Sequence, residues 1–223
     1  MDELKKAAAL MAVEDIEDGM TVGLGTGSTA YYAIMGVADL VKQGMSLRCV
    51  ATSLQTEEIA SEAGVEILSL DDVESVDITI DGADEVDPQL NLVKGLGGAL
   101  LREKIVASIS AREVIIVDDS KMVEQLGTRS PLPVEVLPFG RSHTQRALEA
   151  LGCKPELRTV NGKPFVTDGG NHILDCRFEG IESPFYLESR INTIPGVVEN
   201  GLFMGLATKV IVASKEGIEV FER

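Results

Sequence analysis

Between residues 2 and 117, short apolar runs alternate with longer stretches of helical spacing, and nothing else in the chain limits its fold as much. Helical spacing covers 2–16, 28–42, 54–63 and 99–111, while the apolar runs are 20–24, 47–51, 65–68, 76–80 and 114–117. Gly19, Gly44 and Gly64 stand where helices should stop. A strand that returns parallel to its neighbour needs a long crossover, normally a helix. The alternation therefore predicts βαβ units: an α/β class with a Rossmann-like, doubly wound, mostly parallel sheet. The pattern changes near Thr128, where Ser130-Pro-Leu-Pro133 reads as a boundary. Beyond it, strands at 134–137, 154–158, 164–167 and 173–178 are separated by turns such as Asn161-Gly162, with helices at 143–151 and 184–191. These predict a second, smaller α+β (ferredoxin-like) domain over 130–206, for oligomerisation or as a lid. The catalytic domain is expected over 1–129 plus 207–223, with strands 210–213 and 218–221 returning to the first sheet.

The charge narrows the function classes. Thirty-six acids against twenty Lys and Arg give a net charge of −16, a field that repels nucleic acid and anionic membranes. No apolar run reaches the length of a membrane span. The charged start, Met-Asp-Glu-Leu-Lys-Lys, lacks the apolar core of a signal peptide. Cys49, Cys153 and Cys176 are odd in number, far apart and free of any C-x-x-C spacing, so they are expected to be reduced structural thiols in the cytoplasm.

Three segments carry candidate chemistry. Gly23-Leu-Gly-Thr-Gly-Ser-Thr29 joins a strand to a helix. It fails the dinucleotide pattern, because Ser28 stands where the last glycine belongs, and it fails the P-loop pattern, because no Gly-Lys-Ser/Thr follows. Amides and hydroxyls at a helix N-terminus still suit a monophosphate, and the bland alternative is a tight turn with a Ser/Thr cap. Asp81-Gly-Ala-Asp84 follows a strand end and does not fit a calcium loop, since Val86 and Leu92 fill the positions that need Gly and Glu. Asp81 and Asp84 suit sugar hydroxyls, whereas Glu85 and Asp87 read as a solvated acidic turn. Lys94-Gly-Leu-Gly-Gly98 offers a cation on a backbone that a ligand can approach closely. Leu101, Ile105 and Ile109 form one helix face and turn Glu103 to the surface. Lys121 follows another strand end and either binds phosphate or neutralises Asp118 and Asp119. His143 and His172, the only histidines, are not expected to act, and no zinc set can be assembled.

Taken together, Gly25-Thr-Gly-Ser-Thr29, Asp81-Gly-Ala-Asp-Glu85, Lys94-Gly, Arg102-Glu-Lys104, Asp119-Ser-Lys121, Pro131-Leu-Pro-Val-Glu-Val136 and Ile194-Pro-Gly-Val-Val198 resemble the A-type ribose-5-phosphate isomerase family. Each piece is weak alone, while their order and spacing are specific. The resemblance implies an aldose–ketose isomerase of the non-oxidative pentose phosphate pathway, converting ribose 5-phosphate to ribulose 5-phosphate through an enediolate, with no metal or organic cofactor. It implies that Glu103 is the base, that Lys94 steadies the enediolate oxygen, and that Asp81 and Asp84 hold hydroxyls and assist ring opening. By the same resemblance Thr26, Gly27, Ser28, Thr29, Gly82, Ala83, Gly95, Leu96, Gly97 and Lys121 line the substrate and phosphate site, and the assembly is a homodimer or homotetramer. Leu96 departs from the family's usual Lys-Gly-Gly-Gly. Two other readings compete: a coenzyme A transferase with a glutamate nucleophile, and a non-catalytic sugar-phosphate sensor, which would need a DNA-binding segment.

Overall fold

Valine and isoleucine dominate the expected strands, and branched side chains suit a pleated surface buried on both faces. The computed structural model describes residues 2–223 and gathers six strands into one sheet. Their order is Ile218–Glu222, Lys209–Ala213, Glu113–Asp118, Ile78–Asp81, Thr21–Leu24, Arg48–Ala51. All neighbours run parallel except the first pair, which is antiparallel. The chain divides into two compact units. One runs to Ala83 and adds Arg102–Lys121 and Gly205–Arg223; the other comprises Asp84–Leu101 and Met122–Met204. The boundaries expected from sequence lie at 129/130 and 206/207.

In the first unit, Ala8, Ala12, Ala33, Ile34 and Val37 of helices Asp2–Val13 and Ala30–Lys42 pack on Val22, Leu24, Ile78, Ile80, Val114 and Ile116. Val106 of helix Leu100–Ser108 joins Val50 and Val76 in a separate cluster. The sheet is thus wound on both faces. Residues 65–68 do not form the expected strand; a single bridge, Cys49 to Ile67, is all that pairs there. Val65 and Ile67 are apolar because they pack into the helix-side core, not because they extend the ladder.

In the second unit the order is Val197–Asn200, Leu132–Val136, His172–Arg177, Lys154–Leu157, antiparallel throughout. Helices Arg141–Glu149 and Pro184–Asn192 complete a β-α-β-β-α-β path, the ferredoxin-like arrangement. The expected strand at 164–167 shrinks to Lys163–Pro164, hairpinned to Thr159–Val160. Asn161 and Gly162, both at positive φ, make the two-residue turn, and pairing stops beyond the Phe165 N–H to Arg158 carbonyl bond because the Arg158 N–H turns to the Ile173 carbonyl. A three-stranded sheet of Glu85–Val86, Leu92–Val93 and Leu202–Phe203 was not foreseen.

Two expectations about side chains need correction or sharpening. Glu85 and Asp87 are buried rather than solvated. Glu85 accepts the backbone N–H groups of Gly127, Arg129 and Ser130, and Asp87 accepts those of Gln89 and Asn91, so both carboxylates fix loops. The three thiols are free and buried. Burial pushes the Cys49 thiol up to about 12. Cys176 is also held well above the ordinary range, first by its hydrogen bond with Cys153 and then by burial.

Candidate active site

Thr21–Leu24 pairs with Arg48–Ala51 on one side and Ile78–Asp81 on the other. The first crossover lies on one face of the sheet, through Ala30–Lys42, and helix Leu100–Ser108 covers the opposite face. Such a reversal opens a crevice at the carboxyl ends of the strands. Gly25, Thr26 and Asp81 stand there. Asp81, 1% exposed, accepts the Thr26 N–H at 3.0 Å and the Gly82 N–H at 2.7 Å through Oδ1. A Cβ on Gly25 would lie 2.6 Å from the Asp81 Cα and closer still to its carboxyl group. The glycine is therefore needed so that the loop can lie against the acid. Gly25→Ala should lower unfolding stability by about 1–3 kcal/mol through overpacking, measured by urea titration; an unchanged midpoint would contradict the close approach.

Hydroxyl groups hold the same loop from its far side. Thr26 Oγ1 bonds Ser53 Oγ and lies 2.8 Å from Thr52 Oγ1, and Thr56 Oγ1 donates to the Gly25 carbonyl at 2.8 Å. The Thr26 hydroxyl is thus engaged in positioning the loop. Gly27 and Ser28 are exposed, with Thr29 half-buried. Gly27 adopts φ +110. Thr29 makes no side-chain cap bond, which removes the bland cap reading for that residue. Lys5, absent from the sequence expectations, donates from Nζ to Ser28 Oγ at 2.9 Å and brings a cation to the loop. Twenty-three residues separate that pair, so no local signal announces it. Ser53 was findable: it caps helix Leu54–Glu62 by accepting the Thr56 N–H.

Glu103 overturns the helical-face expectation. It is 5% exposed, while Ile105 is 44% exposed. The buried face runs through Leu100, Glu103, Val106 and Ala107, an i, i+3, i+6, i+7 spacing that counts the glutamate among core positions. Lys121 is half-buried at the end of the turn Asp119–Lys121, where Asp118 accepts the Ser120 N–H at 3.0 Å.

The second unit holds Asp84, Lys94 and the glycine turn that follows it. Asp84 accepts the Leu96 N–H at 2.9 Å. Leu96 points its side chain outward, 40% exposed, and keeps an ordinary φ, so the departure from glycine leaves its amide on the acid. Gly95 and Gly98 adopt φ +103 and +90. Side chains there would strike Leu100 and Phe165 respectively. Lys94 is 2% exposed; its N–H donates to the Gly201 carbonyl at 2.9 Å, and its Nζ lies 5.4 Å from the Phe203 ring centroid. Gly82 and Ala83 are half-buried and Gly97 is exposed. Among the described residues no group of three His, Cys, Asp or Glu is arranged to hold a metal ion, and no helix is long and apolar enough to cross a membrane.

Comparison with known proteins bears on both units. The family model for ribose 5-phosphate isomerase A (phosphoriboisomerase A) matches residues 48–217. Ribose-5-phosphate isomerase A of Gloeobacter violaceus is 56% identical over 99% of this chain and 96% of its own length. A solved D-ribose-5-phosphate isomerase in complex with phospho-erythronic acid superimposes with a TM-score of 0.96 at 43% identity, covering 99% of this chain and 98% of that one. Ribose 5-phosphate isomerase from Plasmodium falciparum gives 0.97 at 38% identity, over 100% of this chain and 99% of that one. Sequence, motif order and both sheets agree: the chain belongs to the ribose 5-phosphate isomerase A family.

Proposed function

We propose that the chain interconverts ribose 5-phosphate and ribulose 5-phosphate by proton transfer between C2 and C1, with Glu103 as the base. The observation that carries this is the position of Glu103: a carboxylate in the first turn of its helix, on the buried face and almost closed to water. In the forward direction Glu103 takes the C2 proton of the open-chain aldose. The electron pair moves toward the C1 carbonyl oxygen and yields an enediolate. The C2 hydroxyl proton passes to the C1 oxygen, and the same carboxyl group returns its own proton to C1 as the C2 oxygen becomes the ketone. No net proton, electron or group is gained or lost. Lys94 supplies the positive charge that lowers the energy of the enediolate oxygen. Asp81 and Asp84 accept hydrogen bonds from sugar hydroxyls and assist ring opening. Only three peptide links separate these two acids, so the chain itself keeps their Cα atoms within about 11 Å.

The loop Gly27–Thr29, together with Lys5 and Lys121, would take the phosphate. This solves a problem posed by the net charge, since a dianion approaching a chain of −16 needs local amides and ammonium groups. Cytoplasmic location and a homodimeric or homotetrameric assembly belong to the same proposal.

Purified protein given ribose 5-phosphate should form the ketose at an enzymic rate, unchanged by EDTA, as followed by the absorbance of the ketopentose. No ketose formation, or a glutamyl thioester after incubation with an acyl-CoA, would overturn the assignment.

A further inference from the structure

Arg158 lies outside every motif noted above, in the connection after strand Lys154–Leu157. Its backbone is anchored, with the N–H donating to the Ile173 carbonyl at 2.9 Å. Its guanidinium is held at one edge by Asp175, through Nε at 2.9 Å and through Nη2. Nη1 then donates to two successive carbonyls, Gly95 at 3.0 Å and Leu96 at 2.9 Å. The cation also lies 5.8 Å from the ring centroid of Phe165, the ring that a side chain at Gly98 would strike. We infer that Arg158, oriented by Asp175, is a positioning residue that fixes the 95–98 turn beside Lys94. The inference rests on the isomerase reading for its catalytic consequence.

The peptide groups around Leu96 are held from two directions. The Leu96 N–H goes to Asp84, and the Leu96 carbonyl goes to Arg158. The Gly95 carbonyl accepts both Arg158 and the Gly98 N–H, which closes the turn. A turn with glycines at 95, 97 and 98 has high conformational entropy when free, so its order must come from outside it. Arginine suits this task because its planar fork can grip a carboxylate along one edge while its remaining nitrogen reaches two oxygens. Asp175 is itself only partly exposed, so the pair is screened less than a surface bridge. Two of the guanidinium's hydrogen bonds go to Asp175 on strand His172–Arg177, and the other two go to the turn. Its donors are divided between its own orienting acid and the turn.

The test uses Arg158→Ala and Arg158→Lys in the full chain, beside wild type. Displacing a turn that carries reacting groups should lower kcat by about 10–100-fold while KM moves far less. Methylguanidinium added to Arg158→Ala should restore part of kcat and have no effect on Glu103→Gln. Arg158→Lys should recover little, because one ammonium cannot grip Asp175 and both carbonyls together. Amide hydrogen exchange at Leu96 and Gly98, read by NMR, should accelerate by about tenfold or more in Arg158→Ala, whatever reaction the wild type catalyses. Should Arg158→Ala fail to fold, Asp175→Asn takes its place, with a smaller change in the same direction. Unchanged exchange at residues 95–98 in a folded variant would overturn the positioning role. Altered exchange with wild-type kcat would overturn its catalytic consequence. A wild-type protein inactive on ribose 5-phosphate would sink the isomerase reading alone, leaving the exchange result to decide the inference.

Discussion

Glu103→Gln is expected to cut kcat by about 10²–10⁴-fold and to leave the melting midpoint nearly unchanged. Glutamine keeps the size of glutamate and one acceptor oxygen, exchanges the other for an NH2 donor, and loses the charge and the capacity to take a proton. The 5% exposure of Glu103 makes the comparison clean, because solvent is not available to replace the missing base inside its niche. The proton alpha to a carbonyl is a weak acid, so a catalyst without a positioned base must rely on hydroxide or water. A second readout separates chemistry from packing. Circular dichroism and thermal melting establish that the fold persists. A variant that turns over at the wild-type rate, or one whose activity is lost only in proportion to unfolding, would remove Glu103 from the reaction.

The error in placing Glu103 on the surface has a definite cause. A hydrophobic-face count treats every charged residue as solvent-seeking, so it selected Leu101, Ile105 and Ile109. The helix instead buries Leu100, Val106 and Ala107, with Glu103 among them, and leaves Ile105 exposed. A carboxylate in a buried stripe conflicts with local preference, and such conflicts concentrate at functional sites. Only the family resemblance pointed to the right face.

The parallel sheet was legible because its strands are buried on both sides and read as nearly unbroken apolar runs, as in Val114–Val117. The small sheet of Glu85–Val86, Leu92–Val93 and Leu202–Phe203 was illegible for the opposite reason. Its strands have two residues each, too few for any period, and one pairing joins segments about a hundred residues apart. Glu85 and Asp87 were misjudged because an acid's burial depends on which N–H groups reach it. Those of Gly127, Arg129 and Ser130 come from a loop more than forty residues downstream. Lys5 and Arg158 escaped for the same reason, since each meets its loop only through folding. Gly25 and Asp81, by contrast, could be placed from sequence: both end strands of a parallel sheet, and the carboxyl edge is where such sheets bind ligands.

Lys94→Met should lower activity far more than it lowers stability. Methionine matches the length of the lysine stem and retains contact with the Phe203 ring, over which the ammonium now lies at 5.4 Å. Lys94 is 2% exposed, and its backbone is fixed by the Gly201 carbonyl, so the main chain has little cause to move. Methionine keeps the apolar contacts but leaves the partners of the buried ammonium unpaired, so the melting midpoint should fall while the chain stays folded. Catalysis should suffer because an enediolate carries negative charge that the bound aldose lacks. A cation held in a niche that water barely enters favours the intermediate over the ground state, and losing one such preorganised group costs about 10²–10³-fold in kcat. KM should change far less, since the lost interaction strengthens only as charge develops. Lys94→Arg should not restore the rate, because a planar guanidinium is larger than the ammonium niche and directs its donors elsewhere. Steady-state kinetics beside thermal melting decide the matter. Near-normal kcat in Lys94→Met would show that the enediolate needs no charge at this position. Loss of the folded state would show that the ammonium serves the fold before it serves the reaction.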